Sequence, residues 1–295
     1  FSLDNALSFA QDNGLKGLKI HVSDGGERSL GAISENDRKA FGVRAANLGL
    51  DLHIETSSTD EKALNELVEI GLQTGATSVR CYPRNVGAVS EVKAKTIQDL
   101  KHLFNLDPNA KLNFTIEQHE DLKSSEIVEI VKAVNHPRLG ILFDFGNSVN
   151  AYEKPEEALE GMGDYVSEVH AKDIHILADR GGWGHKACRS GEGDINIPRI
   201  FFHLLMLGES TPQVTSIGLE EEVDYYAPAF RFPNEKADPY IPYRGVSETD
   251  LPSAGEKEER LRCEKDDAQR QVTFVKTLLS QMRSLLEDIQ AAHKI

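Results

Sequence analysis

Cysteine is scarce in this chain. The three present, Cys81, Cys188 and Cys263, are odd in number and show no paired spacing. That argues against a disulfide frame or a zinc knuckle, and for reduced thiols in a cytoplasmic setting. Positive charge is also in short supply. Lys and Arg total 33 against 48 Asp and Glu, a formal charge of −15, so the surface repels phosphate backbones and no nucleic-acid partner is expected. Long apolar runs are missing. The longest strongly apolar stretch, Ile200 to Leu207, is far too short to span a bilayer, and no membrane association is expected. No G-x-G-x-x-G fingerprint follows an early strand, which weighs against an open dinucleotide-binding sheet. Internal repeats and low-complexity tracts are absent. No signal peptide is visible, although the chain opens on Phe1 rather than Met, which leaves a preceding targeting segment open.

What remains is enough for a large core. Of 295 residues, 39% are hydrophobic, which suits one globular domain over residues 1–295 with no need of a structural metal. Short β-rich runs alternate with helical patterns about every 30 residues, the rhythm of parallel βα units. Strands are expected at Gly17 to Val22, Asp51 to Glu55, Ser78 to Tyr82, Leu112 to Glu117, Leu139 to Asp144, Tyr165 to His170 and Val214 to Glu220. The helices between them carry their own punctuation: Ser34 as an N-cap, Ser58 with Glu61 as a capping box, Gly49 and Gly75 as stops, and Pro155 in a first turn. A helix over Phe1 to Asn13 precedes the first of these seven strands. The pattern therefore predicts a (β/α)8 TIM barrel whose first strand should lie before Phe1. A Gly-rich loop is expected after His170. Residues 223–265 break the alternation with Pro, Tyr, Phe and charge. A last helix, about 266–290, carries an apolar stripe from Val272 to Ile289 that covers the barrel wall or forms an oligomer seam.

Four polar residues end four successive strands: Glu117, Asp144, His170 and Glu220. The C-terminal rim is where such barrels place their chemistry. Three carboxylates converging there repel one another unless a cation intervenes. Oxygen donors with one imidazole suit Mn²⁺, Mg²⁺ or Co²⁺, with Zn²⁺ also admissible. Glu222 competes with Glu220 for the fourth place, because strand alternation puts both on one side.

Four motifs carry a resemblance: Glu117-x-His119, Asp144-x-x-Asn147, His170-x-Lys172-Asp173 and Gly191-x-Gly193. With them, residues 1–222 resemble the xylose-isomerase-like TIM-barrel superfamily of sugar isomerases and epimerases. The resemblance implies one divalent metal ion, Mn²⁺ for preference, on strands five to eight, which agrees with a first strand before Phe1. It implies a ketose or hydroxyketone substrate and proton transfer through an enediolate. Glu117 and Glu220 would be the catalytic proton carriers on opposite faces of the substrate, with Asp144 and His170 as structural ligands. It implies a homo-oligomer, dimer or tetramer.

The alternatives are dehydration or another lyase step on a keto-sugar, inosose or keto-glycoside; a non-catalytic binding barrel; and an abasic-site endonuclease. Asn147 in place of a histidine, together with the charge, speaks against the last. Around the ligands, His119, Asn147, Lys172, Trp183, His185, Arg189, Arg80, Tyr82 and His53 are expected at the substrate. Lys172 and Asp173 are also read as braces of the metal shell, and His21 as a further pocket residue. The 223–265 segment leaves the last ligand strand on the active-site side. It is expected to cap the pocket or reach a neighbouring subunit, with a passive surface loop as the alternative.

Overall fold

The computed structural model describes residues 2–208, 211–242 and 254–292. Its central sheet has seven parallel strands: β1 (Gly17–His21), β2 (Asp51–Glu55), β3 (Ser78–Cys81), β5 (Asn113–Glu117), β6 (Leu139–Asp144), β7 (Val166–Ala171) and β10 (Ser216–Leu219). They pair in that order and form a nearly closed α/β barrel of the TIM type. The open seam lies between β10 and β1, the two edge strands of this sheet. Helices α1 (Leu3–Asp12), α2 (Glu35–Asn47), α3 (Glu61–Thr74), α4 (Val89–Leu103), α5 (Ser124–Val134), α6 (Pro155–Met162) and α7 (Ile197–Leu205) alternate with the strands.

Strand alternation decides the rest. Leu52 and Ile54, Phe114 and Ile116, and Ile141 and Phe143 are all buried in the core cluster beneath the helices; burying each is worth about 1.5–3 kcal/mol. The other face of each strand points into the barrel and is polar: His53 and Glu55 on β2, Arg80 on β3, Glu117 on β5, Asp144 on β6, Glu168 and His170 on β7. Barrel interiors are usually filled by Val, Ile and Leu. Here charge pairs take their place.

Three sequence expectations change. The cap of α3 is Asp60, whose carboxylate accepts from Ala63 N at 2.9 Å, while Ser58 Oγ donates to the Asp60 carboxylate and accepts from Asp60 N. The loop expected after His170 is a hairpin, β8 (Asp173–Asp179) with β9 (Gly182–Cys188), extended by β11 (Tyr226–Ala227). Its turn is Arg180-Gly181, both at positive φ, the backbone that two-residue hairpin loops require. The last helix, α8 (Ala254–Ala292), starts twelve residues before the expected boundary; residues 254–265 hold no proline and carry enough Glu, Lys, Arg and Ala to stay helical. Val272, Val275 and Leu278 of α8 pack on the barrel, whereas Leu285 and Ile289 are exposed.

Residues 223–242 cross the top of the barrel. They add β11 to the hairpin and end in β12 (Tyr240–Ile241), antiparallel to β4 (Gly87–Ala88). Residues 243–253 of the expected arm lie outside the described residues. Among the described residues, no helix is long and apolar enough to cross a membrane.

Candidate metal centre

Glu117 and Asp144 are the last residues of β5 and β6, His170 is the penultimate residue of β7, and Glu220 follows β10. Register fixes them together: Asp144 pairs with His170, and His170 with Gly218. Glu220 N donates to Ala171 O at 3.0 Å, so its backbone still follows the ladder. Glu117, Asp144 and His170 each offer one atom within 4.8 Å of the others. Glu220 Oε1 lies 3.5 Å from His170 Nδ1. Glu222 pairs with the ammonium of Lys172 at 3.3 Å, and its side chain is 43% exposed.

Three of the four, Glu117, Asp144 and His170, have one side-chain atom tied down by a hydrogen bond. Asn147 Nδ2 donates to Glu117 Oε1 at 2.9 Å. Gly146 N and Asn147 N donate to Asp144 Oδ1 at 2.7 and 2.9 Å. His170 Nε2 meets Glu55 Oε1 at 2.9 Å. The second atoms, Glu117 Oε2, Asp144 Oδ2, His170 Nδ1 and Glu220 Oε2, are all buried and make no hydrogen bond of good geometry; they face charged groups instead, Arg80 Nε at 3.0 Å from Glu117 Oε2 and Lys172 Nζ at 3.2 Å from Asp144 Oδ2 and 3.0 Å from Glu220 Oε2. Buried polar atoms of native proteins are paired almost without exception. Three carboxylate oxygens and one imidazole nitrogen gathered in one buried region are a donor set that fits a hard or borderline divalent cation.

The electrostatics agree. Burial, then the charges of Glu220 and Glu117 against the opposing Lys172, push the Asp144 carboxyl up to about 8. Burial also raises Glu117, although Arg80 opposes it. For Glu220, burial is outweighed by Lys172 and His170, which hold its carboxyl down at about 2. Burial disfavours a charged His170, but Glu55 and Glu220 raise it to about 9. Lys172 Nζ lies 3.2 Å from Asp144, 3.0 Å from Glu220 and 3.3 Å from Glu222. Among the described residues, Lys172 and the Arg80 guanidinium, 3.0 Å from Glu117, are the fixed cations set against these carboxylates.

The site opens into a cavity of about 810 Å³ that continues along the seam between β1 and β10. Of the residues expected at the substrate, His53, Arg80, Tyr82, His119 and Lys172 line this cavity, and so does His21. Tyr82 and His119 stack at 3.8 Å. Tyr225 of the arm also lines the cavity and donates its hydroxyl to Glu120.

Four expected substrate residues do not line it. Asn147 is buried behind Glu117 and Asp144 and orients both. Trp183 stacks on Tyr152 at 4.2 Å in the hairpin. Arg189 is held by Asp267 of α8 at 2.7 Å. His185 is fully buried, with Nδ1 2.6 Å from Asn150 Oδ1. Asn150 Nδ2 donates to Ala227 O and Pro228 O, so its Oδ1 is the acceptor and His185 Nδ1 the donor. Burial and then Lys172 lower His185 to about 3, leaving it neutral. Asp173 braces the loop below: its carboxylate accepts from Gly191 N, Gly193 N and Ile195 N. That explains why His-x-Lys-Asp and Gly-x-Gly occur together.

Sequence reasoning missed Glu55, Lys19 and Glu168. Glu168 accepts from Lys19 and Ser78 and meets His53 Nδ1 at 3.2 Å, one layer below the candidate ligands. The signal was present: Glu55 lies two residues from His53, and Glu168 two from His170, each on the same strand face.

Comparison with known proteins agrees with this architecture. Residues 7–222 match the family model of the xylose isomerase-like TIM barrel. The chain is 48% identical to the uncharacterized protein YihM of Escherichia coli, over 94% of this chain and 85% of that protein. It is 24% identical to a 3-oxo-isoapionate decarboxylase of Pectobacterium atrosepticum, over 55% of this chain and 59% of the relative. A D-tagatose 3-epimerase-like protein superposes with a TM-score of 0.64 at 15% identity, over 97% of this chain and 96% of that one. A xylose isomerase-like barrel from Mycobacterium smegmatis, in complex with magnesium, gives 0.56 at 19%, over 74% and 81%. The chain belongs to the xylose isomerase-like TIM barrel family.

Proposed function

We propose that the protein is a divalent-metal-dependent isomerase or epimerase of a ketose or related hydroxyketone. The observation that carries this reading is the buried convergence of Glu117, Asp144 and His170, each offering one atom within 4.8 Å of the others, with Glu220 3.5 Å from His170. The magnesium of the mycobacterial relative supports the class of ion, and the epimerase-like neighbour supports the class of reaction. A bound dication supplies Lewis-acid polarisation of a substrate carbonyl.

The protein's own residues move the proton. Isomerisation needs a base to take it from the carbon beside the carbonyl and an acid to return it. Glu117 and Glu220 project from strands on different sides of the centre. Burial raises the Glu117 carboxyl above the usual range, against the pull of Arg80. Asn147 and Arg80 fix its two oxygens, so its lone pairs keep one direction. Lys172 offers a fixed ammonium to substrate oxygens, and Tyr82 and His119 present a flat wall to the sugar.

The test is a panel of ketoses, inososes and keto-acids in deuterated water with the Mn²⁺-loaded protein, followed by NMR. The expected result is deuterium at the carbon beside the carbonyl of a ketose, lost at least a hundredfold in Glu117→Gln. Elimination or decarboxylation products without exchange would move the protein to the lyase reading. Full activity of Glu117→Gln would remove the proton-transfer role.

A further inference from the structure

Glu55 is buried at the end of β2, and the proposed reaction gives it no task. Its two oxygens are committed in different directions. Oε1 meets His170 Nε2 at 2.9 Å, across the barrel interior, on a strand that does not neighbour β2. Oε2 accepts from Arg80 Nη2 at 2.6 Å. Arg80 in turn sets its Nε 3.0 Å from Glu117 Oε2. Glu55 therefore touches one candidate ligand directly and a second through a single guanidinium.

An ionised carboxylate can only accept hydrogen bonds, so the ring nitrogen facing Glu55 must carry the proton. That leaves Nδ1 as the nitrogen turned toward Glu117, Asp144 and Glu220. The neighbouring position on β10 is Gly218, where a Cβ would stand 3.0 Å from His170 Cδ2. Without the Glu55 contact, a half-turn of the imidazole would present carbon instead of nitrogen to the other ligands. Carboxylate partners of ligating histidines are known to fix tautomer and orientation in this way.

We propose that Glu55 is a positioning residue of the metal centre: it fixes His170 with Nε2 protonated and Nδ1 ligating, and through Arg80 it aims Glu117 at the same point. This rests on the reading of the cluster as a metal site.

The experiment has two arms in the full chain. The first measures Mn²⁺ affinity by titration calorimetry for wild type, Glu55→Gln and Glu55→Ala, with circular dichroism as a control for folding. Glu55→Gln keeps the volume but sets an amide N–H against one of two donors, Arg80 or the His170 Nε2–H, and a 10–100-fold loss of affinity is expected. The second arm follows the Nε2–H proton of His170 by NMR of histidine-labelled, metal-free protein. It should be slow to exchange in wild type and fast in Glu55→Ala. Unchanged affinity in folded Glu55→Gln, or an equally protected Nε2–H in Glu55→Ala, overturns the proposal. A wild type that binds no Mn²⁺ overturns the metal reading instead, and the Nε2–H arm still decides whether Glu55 orients His170.

Discussion

The ammonium of Lys172 lies 3.2 Å from Asp144 Oδ2, in the midst of the carboxylates assigned to the metal. Lys172 is 4% exposed, and Glu220 and Glu222 also pair with it. A lysine there and a dication draw on the same negative charge. Replacing Lys172 by Met should therefore strengthen Mn²⁺ binding about tenfold, since close charges inside a protein interact by more than 1 kcal/mol. It should also destabilise the metal-free protein by about 3 kcal/mol, because a buried charge loses its partner. Calorimetry and thermal melts with and without Mn²⁺ read both. Weaker metal binding in Lys172→Met would mean that the ammonium supports the ion rather than competing with it.

One layer deeper, burial works against ionisation of Glu168, but Lys19 and then His53 bring its carboxyl down to about 2, from an ordinary value of 4.5. A depressed acid contributes stability that is present above the unfolded value and lost as pH falls through the folded one. Acid sensitivity from this group should thus fall between about pH 4.5 and 2. Glu168→Gln should cost about 3 kcal/mol at neutral pH, the scale of a broken buried pair. It should also flatten the stability curve in that window. Urea midpoints measured against pH test this, and an unchanged acid limb would contradict it.

Asp173 and Gly193 are fitted to each other. A Cβ on Gly193 would stand 2.3 Å from Asp173 Oδ1 and 2.5 Å from Ile174 O. Gly193→Ala should lower stability by about 2 kcal/mol through this overlap. A variant that melts at the wild-type temperature would show that the loop yields freely.

The arm is pinned by Arg231, which is 3% exposed and pairs with Glu126 of α5 and with Glu235. The backbone N–H groups of Phe230 and Arg231 also donate to Asn150 O. Arg231→Met should speed proteolytic cleavage within 223–242 while leaving Mn²⁺ affinity within twofold of wild type, since no candidate ligand touches the arginine. Slow cleavage in the variant would place the anchor elsewhere.

The sequence made the candidate ligands visible because each sits at a strand end, where periodicity and position coincide. Glu117, Asp144 and His170 converge as those strand positions imply. Glu220 comes nearer to His170 than Glu222, which follows from the backbone leaving the ladder after Glu220. The charged partners inside the barrel were harder to see. Glu55 and Glu168 alternate with the apolar core residues of β2 and β7, and only the closing of the sheet reveals that His170 and Lys19 stand opposite them. The hairpin of β8 and β9 was hidden behind its glycines, which read as a loop although Arg180-Gly181 is a hairpin turn. Trp183 and Arg189 lie close to the ligands in sequence, but the hairpin carries them away to Tyr152 and Asp267. Proximity along the chain did not predict proximity in the site.

The central claim is that Glu117, Asp144, His170 and Glu220 together hold one divalent cation. The most direct measurement is metal stoichiometry by mass spectrometry after dialysis against Mn²⁺, on the wild type, Asp144→Asn and Glu117→Gln. The account predicts one ion per wild-type chain and less than a tenth of that in either folded variant. A wild type that retains no ion, or an Asp144→Asn variant that keeps a full equivalent, would contradict it.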